Sequence, residues 1–279
     1  MSWELTADLE AFEATAGDFV HSRPVEHTTF LTLVDTLRRR GLGAYGSEAP
    51  VFGWWRTDEG HIDGALVQTP PFPMFFSRLP AGAAVAALDA VGDRPLPGVN
   101  MLAADIDEFV GDRRRRTGAT ATVKMRLRLY QLETLIALPL PPGAARTAGP
   151  EDRALVRRWH GEFYEAIGED RPDNLDEAVD DRLAYGGMVL WEVDGEPVAM
   201  AARSRTSAAM SRVQMVYTPA SRRGRGYAGA ATTIATRAAL DAGASTVVLF
   251  TDLANPTSNG LYQRLGYRPI EDRVVVEFT

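Results

Sequence analysis

The chain has 279 residues, a hydrophobic fraction of 45%, no cysteine and a net charge of −7. This length allows one large domain or two of ordinary size, and the hydrophobic fraction allows a normal core. The missing cysteines exclude disulfides, a thiolate nucleophile and thiolate metal sites, and the acidic balance argues against a general nucleic-acid binder.

The N-terminus has no basic segment followed by an apolar run, so it does not resemble a signal peptide. The most apolar later stretch, 227–250, is interrupted by Arg237 and Asp241, which makes it a poor membrane span. Together with the missing cysteines, these features predict a cytoplasmic protein without a membrane partner.

Helix and strand patterns alternate in the first half of the chain. Helical patterns cover about residues 6–20, 26–40, 83–90 and 105–116, and strand patterns cover about 51–56, 62–68, 99–102 and 124–132. The run 113–116 is four arginines, which suit the last turn of a helix and solvent; a phosphate-binding patch is the alternative.

The second half follows a Pro/Gly/Ala stretch at 139–144, which predicts a linker. Helical patterns cover about 150–167, 176–184, 227–242 and 257–265, and strand patterns cover about 145–148, 188–193, 197–204, 211–218, 246–251 and 274–278. Asp194-Gly195 between two of these strands is a hairpin signal.

Because the order of elements is similar on both sides of the linker, we predict two related α/β domains, 1–138 and 145–279, of which the first is a degenerate copy. Two unrelated α/β halves are the alternative. The glycine-rich loop described next has no counterpart in the first half, where the chain reads Phe76-Ser77-Arg78-Leu79-Pro80.

The segment Arg223-Gly224-Arg225-Gly226-Tyr227-Ala228 lies between a predicted strand and a predicted helix. Glycines permit the positive φ angles that turn successive backbone N–H groups inward, and a helix N-terminus adds unpaired N–H donors. Nearby arginines add fixed positive charge. This combination predicts a pyrophosphate site, with a solvated turn as the alternative.

The segment resembles the acyl-CoA signature of the GCN5-related N-acetyltransferases (GNAT), R/Q-x-x-G-x-G/A, with Arg223, Gly226 and Ala228 at the signature positions. The segment 252–267 is similar to the family's strand–Asn–helix–Tyr–Gly–aromatic segment. The resemblance covers residues 145–279 and rests on element order alone before that. It implies two tandem GNAT-like mixed-sheet domains with flanking helices, only the second with an intact acyl-CoA loop.

The resemblance also implies acetyl-CoA as co-substrate, held between the strands that end near Thr218 and Thr251. The backbone of the first strand would pair with the pantetheine arm, as an added strand would. Asn255 would meet the same arm, although an N-cap role is equally compatible with its position before Pro256. The implied donor-binding residues are Met215, Val216, Tyr217, Arg223, Gly224, Arg225, Gly226, Tyr227, Ala228 and Asn255.

The implied reaction is direct attack of a primary amine on the thioester in a ternary complex, with Tyr262 as the acid that protonates the leaving thiolate. Tyr262 as a core residue is the alternative. The acceptor would be a small-molecule or peptide amine, and the protein a monomer or homodimer. No spacing of His, Asp and Glu suggests a metal site, and nothing suggests a nucleic-acid partner.

The general base is not identified, because the strand 211–218 carries no carboxylate. Candidate carboxylates lie on or just after the helix 150–167, where relatives form the acceptor pocket, and a solvated helix end is the alternative for each; they are Glu162, Glu165, Glu169 and Asp170. The terminal carboxylate of Thr279 is a further candidate. His160 is interpreted as helix surface.

Two other functions fit parts of the pattern. Gly224-x-Gly226-x-x-Gly229 matches the dinucleotide fingerprint of NAD(P)-binding oxidoreductases, with Asp252 further on. Against it stand the first glycine, which comes seven residues after Tyr217, the predicted hairpins before the loop and the arginines within it. A catalytically inactive acyl-CoA sensor or scaffold is the other alternative.

Overall fold

The computed structural model describes residues 1–169, 171–172 and 174–279, which form a mixed α/β protein. The helices are α1 Leu9–Ser22, α2 Thr28–Arg40, α3 Ala83–Val91, α4 Ile106–Thr117, α5 Arg153–Ile167, α6 Leu175–Ala184, α7 Tyr227–Asp241 and α8 Pro256–Arg264. The strands are β1 Ser2–Thr6, β2 Val51–Arg56, β3 Ile62–Gln68, β4 Met74–Phe76, β5 Gly98–Leu102, β6 Ala121–Leu132, β7 Ala144–Thr147, β8 Met188–Val193, β9 Glu196–Arg203, β10 Met210–Tyr217, β11 Thr246–Asp252 and β12 Tyr267–Phe278. The predicted fold class is confirmed.

The chain forms two compact units that do not separate at a single point. Unit 1 contains residues 1–129, 251–254 and 270–279, and unit 2 contains residues 130–250 and 255–269. The strands β6 and β12 therefore each contribute one end to each unit. The predicted division into 1–138 and 145–279 places β6 wholly in the first half and β12 wholly in the second, and it remains a prediction.

Each half of the chain has the same order of elements, β-α-α-β-β-β-α-β-α-β, from β1 to β6 and from β7 to β12. The pairing repeats as well. β1–β2, β2–β3 and β3–β4 are antiparallel and β4–β5 is parallel, while β7–β8, β8–β9 and β9–β10 are antiparallel and β10–β11 is parallel. This repetition supports two related halves rather than two unrelated ones.

Successive side chains of a strand point to opposite faces of the sheet, and in both units each face packs against helices to form a core. In unit 1, Phe76 packs with α3 and α4, while the neighbouring Phe75 packs edge-on against Phe30 of α2. In unit 2, Met188 and Leu190 of β8 face α5 and α6, and the alternate residues of that strand face α7.

Two short strands were not predicted from the sequence. β1 and β4 lie beside Asp, Pro and Thr residues and are too short to show a clear alternation. β12 begins at Tyr267, seven residues before the predicted start at 274, because its first part contains Pro269 and charged residues that are untypical of a strand. These strands are stabilised by pairing with neighbours that are distant in sequence.

The run 113–116 lies in the last turn of α4, in agreement with the helix-end interpretation. Arg115 and Arg116 form ion pairs with Asp112 one turn earlier, and the guanidinium of Arg113 lies 4.9 Å from the ring centre of Phe278. None of the described helices combines the length and apolarity needed to cross a membrane.

Candidate active site

The parallel pair β10–β11 separates before either strand ends. Its described register runs from Met210↔Thr246 to Val213↔Leu249, although β10 continues to Tyr217. On its other edge β10 carries a bulge, since three steps from Gln214 to Tyr217 oppose two on β9, and Met215 has a φ of 52°. A bulge bends a strand and changes the direction of its backbone groups. The end of β10 therefore has one backbone edge that β11 does not use.

The Arg/Gly loop follows directly, between β10 and the N-terminus of α7. Gly224 and Gly226 have φ angles of 76° and 83°, which an L-residue rarely adopts. Gly226 is the N-cap of α7 and offers no side-chain cap, and the first turn of the helix contains no acidic residue. The first N–H groups of α7 are thus available to an anion.

Positive charge surrounds this helix start. Arg222, Arg223 and Arg225 are exposed, and no carboxylate of the described residues lies within ion-pair distance of them. Arg223 Nε donates a hydrogen bond to the backbone oxygen of Thr218 at 3.1 Å. Cations at a helix N-terminus are unfavourable on their own, because the helix dipole is positive there. A bound anion would reverse this cost.

The third glycine of the dinucleotide fingerprint has a packing role in this fold. A Cβ added at Gly229 would lie 3.0 Å from Leu261 Cδ1, so the glycine allows α7 to approach α8. The strand before the loop is antiparallel to β9, and β8 and β9 form the predicted hairpin. The loop itself opens the parallel β10–α7–β11 crossover, so the argument against the NAD(P) alternative rests on the six residues between Tyr217 and Gly224 and on the arginines of the loop.

Asn255 caps helix α8. Its side-chain oxygen accepts a hydrogen bond from Ser258 N at 3.0 Å, and Pro256 occupies the first helical position. The capping role expected from the sequence is confirmed. Contact of Asn255 with a pantetheine arm remains a prediction.

Tyr262 lies on α8 with its side chain 6% exposed. It belongs to a cluster with Val213 and Leu249, the last residues paired between β10 and β11, and Val216 packs against the same cluster. Its hydroxyl makes no hydrogen bond to any described residue, and burial raises the pKa of Tyr262 to about 12. The phenol therefore keeps its proton at neutral pH, as a proton donor requires.

Two hydrogen-bonded groups around α8 were not predicted from the sequence. The buried Tyr130 of β6 donates its hydroxyl proton to Asn259 Oδ1 at 2.9 Å and accepts from Gln263 Nε2 at 3.1 Å. Tyr267 and Thr236 share a hydrogen bond of 2.7 Å between their hydroxyls. The sequence did not show these hydrogen bonds, because the partners are far apart in the chain. The strand pattern at 124–132 indicated only that Tyr130 lies in a strand.

A tyrosine–carboxylate pair stands at the end of β10. Tyr217 donates its hydroxyl proton to Glu162 Oε2 at 2.8 Å, and the pKa of Tyr217 is raised to about 12 by burial and by this hydrogen bond. The ring of Trp159 lies 6.1 Å from the ring of Tyr217. Glu162 is thus the predicted carboxylate candidate that the fold brings to β10.

The other carboxylate candidates lie elsewhere. Glu165 forms an exposed ion pair with Arg171, and Glu169 follows the end of α5. Asp170 lies outside the described residues. Thr279 exchanges backbone hydrogen bonds with Thr120 in unit 1.

The interpretation of His160 as helix surface is wrong. His160 is fully buried, its Nδ1 bonds to the backbone oxygen of Val156 at 2.9 Å, and its Nε2 lies 3.3 Å from a guanidinium nitrogen of Arg182 on α6. Burial, followed by the charge of Arg182, lowers the pKa of His160 to about 3. The sequence could not show this, because α6 covers this face of α5 only in the folded protein.

Unit 1 has a different arrangement at the corresponding parallel pair, β4–β5. Arg273 is 1% exposed and donates hydrogen bonds to the backbone oxygens of Phe76 and Asn100 and to Asn100 Oδ1. Its charge is paired with Glu271 at 2.9 Å. Arg273 therefore binds backbone oxygens at the end of β4 and in β5, and no Arg/Gly loop follows β4.

Among the described residues, no group of three His, Asp or Glu side chains comes together as a potential metal-ligand set. The chain between residues 153 and 267 matches the family model described as the acetyltransferase (GNAT) family. A search of curated proteins finds no match.

Solved structures resemble the chain over its whole length. An X-ray structure of a Drosophila protein is 14% identical, with a TM-score of 0.70 and coverage of 99% of this chain and 98% of that one. An acetyltransferase of the GNAT family from Colwellia psychrerythraea is 12% identical, with a TM-score of 0.62 and coverage of 100% and 99%. A GCN5-related N-acetyltransferase from Sphaerobacter thermophilus is 14% identical, with a TM-score of 0.61 and coverage of 98% and 94%. At these identities the likeness is one of fold.

Proposed function

We propose, from the match of residues 153–267 to the acetyltransferase (GNAT) family, that the protein transfers an acetyl group from acetyl-CoA to a primary amine. The observation that carries the proposal is the cationic glycine loop at the uncapped N-terminus of α7, next to the unused backbone edge of β10. The amine attacks the thioester directly in a ternary complex. Its carrier is a small molecule or a peptide.

The two features suit the two parts of acetyl-CoA. Backbone N–H groups from Gly224 to Ala228 and the guanidinium groups of Arg223 and Arg225 suit the pyrophosphate. The backbone of Met215, Val216 and Tyr217 suits the amides of the pantetheine arm, because a bent strand edge pairs with an extended chain as it would with a strand.

Proton transfer to the leaving group is assigned to Tyr262. The phenol is neutral at pH 7, lies in the cluster that joins β10 to β11, and has no hydrogen-bond partner among the described residues that would hold its proton. A backbone N–H of β10 near Val216 would polarise the thioester carbonyl. The acceptor ammonium loses one proton to solvent to become the nucleophile, and the C–S bond breaks after its nitrogen has bonded to the carbonyl carbon. The second proton lost from that nitrogen replaces the one that Tyr262 gives to the thiolate.

Binding of the donor is tested by thermal denaturation. CoA and acetyl-CoA are expected to raise the melting temperature, because a ligand that binds only the native state at ~100 times its Kd stabilises it by about 2.7 kcal/mol. NADH and NADPH are expected to have no effect. A shift with NADH and none with CoA would reverse the assignment of the loop. Release of free CoA thiol in the presence of a panel of amines then separates an enzyme from an acyl-CoA sensor.

The role of the loop charges is tested by replacing them singly. Arg223→Ala and Arg225→Ala are each expected to weaken CoA binding by about 1–3 kcal/mol, the scale of a charge-assisted hydrogen bond. Stability is expected to change little, since both side chains are exposed. Arg114→Ala, at an exposed arginine of unit 1, is the matched control. Calorimetric CoA affinities equal to wild type in both loop variants would refute the pyrophosphate assignment.

A further inference from the structure

The sheet of unit 2 presents its two faces to different helices at the end of β10. Met215 and Tyr217 pack with α5 and α6, whereas Val216 packs towards α7 and α8. The loop proposed to bind the donor belongs to α7. A side chain of α5 next to Tyr217 therefore lies on the face of β10 opposite the donor loop. An acceptor would reach the thioester from this face, because the donor occupies the other one.

Glu162 is such a group. Its side chain is 36% exposed, and one of its oxygens accepts the hydroxyl proton of Tyr217 at 2.8 Å. Burial and the hydrogen bond to Glu162 raise the pKa of Tyr217 to about 12, so the hydroxyl remains a donor in neutral solution. The tyrosine thus orients the carboxylate without neutralising it, and leaves the carboxylate free to pair with a cation.

The ion pair between Glu162 and Arg158 is weak. Arg158 Nε lies 3.7 Å from the other carboxylate oxygen, one helical turn earlier, and its side chain is 62% exposed. Exposed pairs of this kind contribute about 0–1 kcal/mol, so an ammonium group can replace Arg158 at little cost.

Neighbouring carboxylates differ from Glu162 in their surroundings. Glu165 is paired with Arg171, and its side chain is 63% exposed. Within the described part of α5, the hydrogen bond to the end of β10 comes from Glu162. On a solvated acidic helix face several carboxylates would be equivalent, whereas Glu162 is fixed by Tyr217, a buried tyrosine of β10.

We infer that Glu162, oriented by Tyr217, binds the ammonium group of the acceptor and thereby selects cationic primary amines over uncharged analogues. The inference rests on the proposed acetyl transfer, whose acceptor it specifies. The bound ammonium gives one proton to solvent and then attacks as the free amine, and the acetylated product is an uncharged amide that no longer forms an ion pair with Glu162.

The test is the affinity of the protein–CoA complex for pairs of compounds that differ only in charge. The probes are hexylamine with hexanol and phenethylamine with 2-phenylethanol, measured by titration calorimetry at pH 7.5. Wild type is expected to bind each amine about 10-fold or more tightly than its alcohol, the scale of a hydrogen bond to a charged group. Glu162→Gln is expected to abolish that preference, and Tyr217→Phe to reduce it. Glu165→Gln, the matched control, is expected to keep it.

Acetyl-transfer kinetics give the second readout. With an amine that wild type acetylates, Glu162→Gln is expected to raise the KM for the amine about 10-fold and leave the KM for acetyl-CoA unchanged. Equal affinity of wild type for amine and alcohol, or an unchanged preference in Glu162→Gln, would overturn the inference. An amine preference that depends on Glu162 in a protein that fails to bind CoA or to transfer acetyl would instead refute the proposed function and leave the ammonium site standing.

Discussion

Replacing Tyr262 with phenylalanine is expected to lower kcat by about 10²-fold or more, the contribution of a well-placed general acid. Affinity for acetyl-CoA is expected to change much less, since the proton is transferred in the transition state. Stability is expected to be unchanged, because the hydroxyl has no hydrogen-bond partner among the described residues that its removal would leave unpaired. Steady-state kinetics, CoA titration and thermal denaturation measure the three quantities.

Tyr267→Phe is the matched control. Its ring lies 6.2 Å from that of Tyr262, but its hydroxyl is bonded to Thr236. Removing that hydroxyl is expected to cost about 0.5–1.5 kcal/mol of stability and to leave kcat near wild type. If Tyr262→Phe turned over at the wild-type rate while chemistry was rate-limiting, Tyr262 would be a core residue and another group would protonate the thiolate.

Replacing Arg273 with alanine is expected to lower the free energy of unfolding by about 3–5 kcal/mol, because the buried carboxylate of Glu271 then keeps only the exposed Arg78, at 3.9 Å, as a partner. The backbone oxygens of Phe76 and Asn100 would lose their donor at the same time. Burial lowers the pKa of Arg273, and Glu271, the nearest opposite charge, counteracts this. Urea denaturation followed by fluorescence measures the loss.

Arg128→Ala provides the comparison. Arg128 forms a two-pronged ion pair with Asp272 at 2.7 and 2.8 Å, but both side chains are about a third exposed. An ion pair in contact with solvent is expected to contribute about 0–1 kcal/mol. A loss at Arg273 no larger than the loss at Arg128 would show that the buried pair is not needed to hold the end of β4–β5 together.

Much of the fold could be predicted because local patterns agree with the final structure. The strands 51–56, 62–68 and 188–193 were predicted with the bounds that the structure has, since each is a run of apolar or β-branched residues between turn signals. The start of α7 followed from the glycines before it. The strands that were missed or shortened, β1, β4 and the first part of β12, have compositions that become extended only when a neighbouring strand pairs with them.

Some features of the candidate site could likewise be predicted from local sequence, and others could not. The sequence by itself predicted a phosphate-binding loop, because the glycines, the arginines and the helix start are consecutive residues whose properties do not depend on distant contacts. It also determined the cap at Asn255 and the presence of a tyrosine on α8.

Only the tertiary structure decided which side chains meet across elements. It placed Glu162 of α5 against Tyr217 of β10, buried His160 under α6, and ended the β10–β11 pairing at Val213 with a bulge at Met215. The physical reason is that burial, hydrogen bonding and strand register depend on packing between segments far apart in the chain. A single sequence encodes these contacts without any local pattern that marks them.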